Sequence, residues 1–241
     1  MLAVAGLSKR FGGFLAVNQV SFEVREGEIL GLIGPNGSGK STTFNLIAGA
    51  MRPTSGSIRF ADAEIGGMSA HQICRRGIAR TFQIPRPFRK LSLVDNVTLA
   101  AHYGKGGGMS RAAARRAAAE ALELVGLPSD GSAKADALGA AALKKLELAR
   151  ALATRPRLLL ADESLGGLDA AEMERAADLL EGIRGRMGIT IVWVEHIMGV
   201  LMRIVDRVIV LDHGEKIFEG LPAEAARDAR VAEVYLGRGR A

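Results

Sequence analysis

Apolar and polar positions alternate through the first thirty residues, as at Val17, Val20, Phe22 and Val24, around Gly12-Gly13. A period of two predicts short antiparallel strands there. The pattern then condenses into an apolar run, Glu28-Ile29-Leu30-Gly31-Leu32-Ile33, which predicts a buried strand. A glycine-rich octapeptide separates that run from an apolar helix, Thr42 to Ala50. Pro53-Thr54-Ser55-Gly56 reads as a turn, Ser57 to Phe60 as a short strand, Ser69 to Arg76 as a helix and Ile78 to Phe82 as a strand.

From Pro85 the character changes. Pro85 and Pro87 interrupt regular structure, and Ser92 to His102 and the Ala-rich Arg111 to Val125 read as helices. Loops at Lys105 to Gly108 and Pro128 to Ala137 precede a further helix from about Ala141 to Ala153. The core pattern then returns. Leu158-Leu159-Leu160-Ala161 is an apolar strand ending in Asp162-Glu163, Ala170 to Met187 is a helix, and Ile189 to Val194 is a second apolar strand ending at Glu195-His196. Strands alternating with helices predict βαβ units and a mostly parallel sheet, with a helical lobe inserted between residues 85 and 154. In such sheets ligands sit beyond the carboxyl ends of strands, where Gly34, Asp162 and His196 fall.

Composition narrows the setting. With 48% hydrophobic and 24% charged residues the chain has the balance of a globular protein rather than a disordered one. No apolar run approaches the roughly 20 residues a membrane helix needs, and the N-terminus lacks a basic-then-apolar leader, so a cytoplasmic protein is expected. Cys74 is the single cysteine, which excludes an internal disulfide, and the four histidines lack ligand spacing. The net charge of +6 is compatible with nucleic acid, an anionic membrane face or a nucleotide. Arg76, Arg80, Arg86 and Arg89 make Arg75 to Lys90 either a solvated face or a docking surface.

The octapeptide carries the chemistry. Gly34-Pro35-Asn36-Gly37-Ser38-Gly39-Lys40-Ser41 matches the phosphate-binding P-loop, G-x-x-x-x-G-K-[ST], between a strand and a helix as that motif requires. Glycines let successive N–H groups turn into one concavity, and the helix dipole points the same way. Lys40 is placed to bridge the β- and γ-phosphates, and Ser41 to ligate Mg²⁺, with Thr42 next in the helix. An apolar strand ending in two carboxylates is the other half of an NTPase site. Asp162 would hold Mg²⁺ and Glu163 would polarise the attacking water.

In this order the motifs resemble those of ATP-binding-cassette (ABC) ATPases over nearly the whole chain. That resemblance implies a P-loop NTPase (RecA-like) α/β fold with a mostly parallel sheet, an N-terminal antiparallel β subdomain and the inserted helical lobe. The nucleotide-binding core would comprise residues 1–84 and 155–241, and the lobe 85–154. Phe11 with Gly12-Gly13 resembles the loop that stacks on adenine, and Gln83 in Arg80-Thr81-Phe82-Gln83 the glutamine that senses Mg²⁺ and the catalytic water. Gly167-Leu168-Asp169 resembles the D-loop, and His196 the switch histidine at the γ-phosphate. The implied cofactors are ATP and Mg²⁺, the metal lying among Ser41, Gln83 and Asp162.

Four segments are similar to the ATPases of branched-chain amino-acid uptake systems: Phe11 to Asn18, Gly77 to Gln83, Val194 to Met198 and Val234 to Gly237. That similarity implies membrane permease subunits, a second ATPase subunit in a heterodimer or homodimer, and a periplasmic solute-binding protein. It puts the chain at the cytoplasmic face of the inner membrane, with no nucleic acid expected. The permease would dock on Arg75–Lys90 and the start of the lobe. The alternatives are a soluble ABC ATPase acting on nucleic acid or the ribosome, and a regulatory cassette of low turnover.

The departures are specific. The family's L-S-G-G-Q signature falls on Leu138-Gly139-Ala140-Ala141-Ala142, so its serine hydroxyl and glutamine are absent and each glycine carries a methyl group. In a head-to-tail dimer this element caps the other subunit's ATP, which predicts weak hydrolysis by a homodimer. Ser164 stands where a proline usually follows the catalytic glutamate, and Ile197 where an acid often follows the histidine.

Overall fold

A computed structural model describes residues 1–104, 106, 108–162, 170–195 and 198–236 and, of residues 170, 198 and 236, the backbone only. Glu163, Ser164, Gly167-Leu168-Asp169, His196, Ile197 and Gly237 thus lie outside the described residues. The chain opens with β1 (Leu2–Phe11) and β2 (Phe14–Val24), then β3 (Ile29–Ile33) and α1 (Lys40–Ile47). Next come β4 (Ser55–Phe60), β5 (Ala63–Glu64), α2 (Ala70–Arg75) and β6 (Ile78–Arg80). The helices α3 (Leu93–Tyr103), α4 (Arg111–Leu124) and α5 (Ala140–Ala153) follow, then β7 (Leu158–Asp162) and α6 (Ala170–Met187). The last part holds β8 (Thr190–Val194), α7 (Met198–Ile204), β9 (Arg207–Asp212), β10 (Glu215–Gly220), α8 (Pro222–Ala225) and α9 (Ala229–Leu236). They group into two compact units, Met1–Ala70 with Thr190–Ala241, and His71–Ile189.

The first unit contains two sheets. One is antiparallel, in the order β2-β1-β4-β5. Its leading strands are not short: β1 has 10 residues and β2 has 11. Three register shifts interrupt their pairing without ending it, the middle one at Leu7/Lys9. Val20 pairs with Leu7 and Val17 with Lys9, so β2 spends one more residue than β1 between those pairs. Gln19 takes up the extra residue at φ 48, and its N–H donates to Ser8 Oγ at 2.9 Å. The phase shift lets Val17 and Val20 both stay buried.

The second sheet of this unit runs β10-β9-β3-β8, with β3 parallel to both β8 and β9. A strand flanked on both sides reads as a continuous apolar run, and every residue of β3 is buried. Gly31 has no room for a side chain, because a Cβ there would lie 2.9 Å from Leu201 Cδ2 of α7 and 3.2 Å from Val208 Cγ1 of β9. At its start, Ile29 N–H donates to Asp206 Oδ2 at 2.7 Å, and Arg207 pairs with Glu28 at 2.9 Å. The strand that launches the P-loop is therefore pinned along its whole length.

In the second unit β6 and β7 run parallel, with Arg80 opposite Leu160. The helices α3, α4 and α5 pack on one another. The Ala-rich α4 buries Ala114, Ala117, Ala118, Ala121 and Leu122, a helical stripe of small side chains that lets its neighbours approach closely. Asn96 of α3 is fully buried; its amide donates to Phe88 O and Ser92 O, both at 3.0 Å, and accepts from Phe88 N–H at 2.8 Å. Those bonds hold the segment that enters the lobe.

Candidate nucleotide site

The P-loop is shaped by what its glycines avoid. Gly34 has φ 147, and a Cβ there would lie 2.1 Å from Leu211 O and 2.6 Å from Ser38 Oγ. Gly39 has φ 103, and its Cβ would lie 2.8 Å from Ala16 O. Gly37, at φ 82, is exposed and needs glycine only for its backbone conformation. Two segments brace the loop from behind. His213 and Gly214 form a two-residue hairpin turn between β9 and β10, both at positive φ. Gly214 N–H donates to Ser38 O at 3.0 Å, while Gly214 O accepts from Asn18 N–H at 2.8 Å.

Helix α1 starts at Lys40 with Gly39 as its cap, no side-chain capping bond and no acid in its first turn. Its first turn therefore carries no carboxylate of its own to compete with an anion for the leading N–H groups and the dipole. Lys40 is buried, its ammonium donating to Gly34 O at 2.7 Å and Pro35 O at 2.8 Å. Ser38 Oγ is also buried and has no hydrogen-bond partner among the described residues. A buried lysine, an orphaned hydroxyl and a cradle that a Cβ would fill all fit a triphosphate. Ser41 is exposed at the helix start and Thr42 half-buried, so the Ser41 hydroxyl is open to a cation. Phe11 closes the β1–β2 hairpin opposite Phe14 and is 46% exposed, leaving a ring face for a base.

In the second unit Asp162 ends β7. It is buried, its N–H donates to Thr81 Oγ1 at 3.1 Å, and its Oδ2 accepts from Arg80 at 2.6 Å. Thr81 is tied in turn by its own N–H to Leu160 O at 3.0 Å. Gln83 lies three residues past β6 in an exposed loop. Glu163 and His196, the expected base and γ-phosphate contact, are outside the described residues.

Comparison with known proteins decides the family. Residues 17–166 match the ABC transporter model, and 215–241 match the branched-chain amino acid ATP-binding cassette transporter model. The chain is 39% identical to the high-affinity branched-chain amino acid transport ATP-binding protein LivG of Salmonella typhimurium, covering 98% of each. It is 36% identical to BraF of Pseudomonas aeruginosa, again over 98% of each. In structure it is similar to the ADP conformation of MJ1267, an ATP-binding cassette of an ABC transporter, with TM-score 0.88, 27% identity and 99% of each chain covered. The chain belongs to the ABC transporter family. It is the ATP-hydrolysing cassette of a transporter, with the mixed α/β fold of such cassettes. The two alternatives, an ATPase of nucleic acid or the ribosome and a regulatory cassette, draw no support from these relatives.

The segment expected to carry the family's signature, residues 138–142, is open at its start. Gly139 caps α5 at φ −71 without a side-chain bond, and a Cβ there would meet nothing within 4 Å. Gly139 and Ala140 are exposed, and Ala141 and Ala142 half-buried.

Three contributors escaped the sequence reading. The His213-Gly214 turn carries a signal that could have found it, a turn dipeptide between two strand-like runs. Arg80 stood among the basic residues of its segment and in the glutamine motif, with no hint of its carboxylate partner. Tyr235 of α9 marks the family tail but was given no role. Burial pushes its phenol above the usual value, and the Gly34 backbone draws it partly back.

Proposed function

We propose that this cassette powers a membrane importer of branched-chain or other amino acids from the cytoplasmic face of the inner membrane. The conclusion rests chiefly on the P-loop, where a buried Lys40, an orphaned Ser38 hydroxyl and glycines without room for a Cβ meet at one helix start. The solute class is supported by the named relatives and by the tail match at residues 215–241. Among the described residues no helix is long and apolar enough to cross a membrane, so the permease would be a separate partner.

In this account residues 34–42 cradle the triphosphate and Phe11 stacks on adenine. Ser41, Gln83 and Asp162 offer the hard oxygen donors that Mg²⁺ takes, and Mg²⁺ there would offset charge on the β- and γ-phosphates. Glu163 orients and deprotonates the attacking water, and His196 contacts the γ-phosphate. We assign residues 1–84 and 155–241 to the nucleotide-binding core and 85–154 to the helical lobe. Arg75–Lys90 and the start of the lobe would receive the permease. Phe82, Ile84 and Phe88 are 48%, 71% and 52% exposed there, an unusual amount of apolar side chain for a solvated face. Arg150 steadies that segment, donating to Arg86 O at 2.9 Å with its guanidinium over the Phe88 ring at 5.6 Å.

The altered signature points to a second, different ATPase subunit with an intact one, and a periplasmic protein would deliver the solute. Copurification from the native membrane tests the assembly: permease subunits and a second ATPase should come down with the chain, and their absence would remove the importer. Glu163→Gln tests the chemistry. It should keep ATP affinity and cut turnover by roughly 10²–10⁴-fold; turnover at the parent rate would move the base to His196.

A further inference from the structure

Asp162 already has a cation. Its carboxylate is buried at the end of β7, and the Arg80 guanidinium sits 2.6 Å from Oδ2, with side-chain exposures of 12% for the arginine and 6% for the aspartate. A carboxylate this far from water needs an opposite charge, and at that depth the attraction is only weakly screened. The pairing is built in by the fold: β6 and β7 run side by side, Thr81 Oγ1 accepts from Asp162 N–H, and Arg80 precedes Thr81 on the same strand end.

We propose that Arg80 is a stand-in for the metal, a positioning residue that neutralises Asp162 until Mg²⁺ arrives with ATP and displaces it. This rests on the reading of Asp162 as a Mg²⁺ holder and adds the competitor that sets how readily the metal binds. Two positive charges cannot share one buried carboxylate without repulsion, so Mg²⁺ binding and the Arg80 contact oppose each other. The Phe82 ring, 5.4 Å from the guanidinium, gives the displaced side chain a face to rest on. Arg80 also lies three residues before Gln83, in the segment with exposed Phe82, Ile84 and Phe88. Metal loading would thus be felt first by the segment proposed to dock the permease.

The test is the Mg²⁺ concentration at which ATP affinity reaches half of its metal-dependent gain, measured by titration calorimetry on the full chain. Arg80→Gln should lower that midpoint about tenfold, within the range of coupled sites, while ATP affinity in EDTA stays at the parent value. Arg80→Lys keeps the charge without the planar fork and should lower it several-fold; it serves as the readout should the glutamine variant not fold. Mg²⁺ alone, without nucleotide, should raise the unfolding temperature of either variant more than that of the parent. A parent-like midpoint in whichever of these variants folds would overturn the proposal. Asp162→Asn separates the two levels: if it raises the midpoint while the Arg80 variants leave it unchanged, Asp162 holds metal and Arg80 is structural. If Asp162→Asn leaves the midpoint unchanged, Asp162 does not hold metal, and the stand-in fails with it.

Discussion

The chain begins two helices from a glycine, α1 from Gly39 and α5 from Gly139, and neither glycine is joined by a side-chain capping bond. Their surroundings differ completely. Gly39 sits at φ 103 with Ala16 O where a Cβ would go, whereas Gly139 sits at φ −71 in open space. The first residue of α1 is the buried Lys40. In α5 an ion pair lies two turns into the helix, where Glu147 accepts from Arg150 at 2.8 Å. A glycine at a helix start therefore makes an anion site only where crowding, a held backbone and a cation come with it. The P-loop has all three in its own subunit, while the signature offers N–H groups and would depend on another subunit to complete it.

The largest break of this contrast is Gly34→Ala. Its Cβ would sit 2.1 Å from a backbone carbonyl of β9, so loop and strand must separate. We expect a loss of about 3 kcal/mol or more in unfolding free energy, with nucleotide binding lost too, read by denaturant titration. Lys40→Ala should act on function instead. ATP affinity should fall by about 1.5–3 kcal/mol, roughly 10- to 150-fold by calorimetry; unchanged affinity would remove the P-loop assignment.

Two smaller effects belong to α5. Burial pushes the Glu147 carboxyl up, and Arg150 only partly draws it back. A carboxyl raised in the fold contributes stability that is full below its unfolded value, about 4.5, and is lost as pH rises through the folded value. Glu147→Gln should remove that downward slope above pH 4.5 in urea midpoints, without changing ATP affinity. Gly139→Ser should be the mildest in stability, a gain of a few tenths of a kcal/mol, because the backbone already has the extended geometry of a serine cap.

Much of this was legible in the chain because it is local. The P-loop octapeptide, the apolar run of β3 and the acidic end of β7 each announce themselves within a few residues, and the family motifs order them. What stayed hidden depends on partners far along the chain. Nothing near Gly214 says that it supports Ser38, and nothing near Arg80 says that Asp162 will lie 2.6 Å away. The length of β1 and β2 was also missed, since the bulge at Gln19 breaks the alternation that strand recognition relies on.

The most direct measurement of the central claim compares ATP turnover by the chain alone with that of a variant whose Gly139-Ala140-Ala141-Ala142 is replaced by Ser-Gly-Gly-Gln. The serine restores one hydrogen bond to a charged group, worth about 1.5–3 kcal/mol, and loss of the methyls lets the helix start approach a phosphate. The account predicts turnover roughly 10-fold or more above the parent at equal ATP affinity, because the P-loop is untouched. Equal turnover by the two proteins would mean that the altered signature is silent, and the contrast between the two helix starts would have no consequence for catalysis.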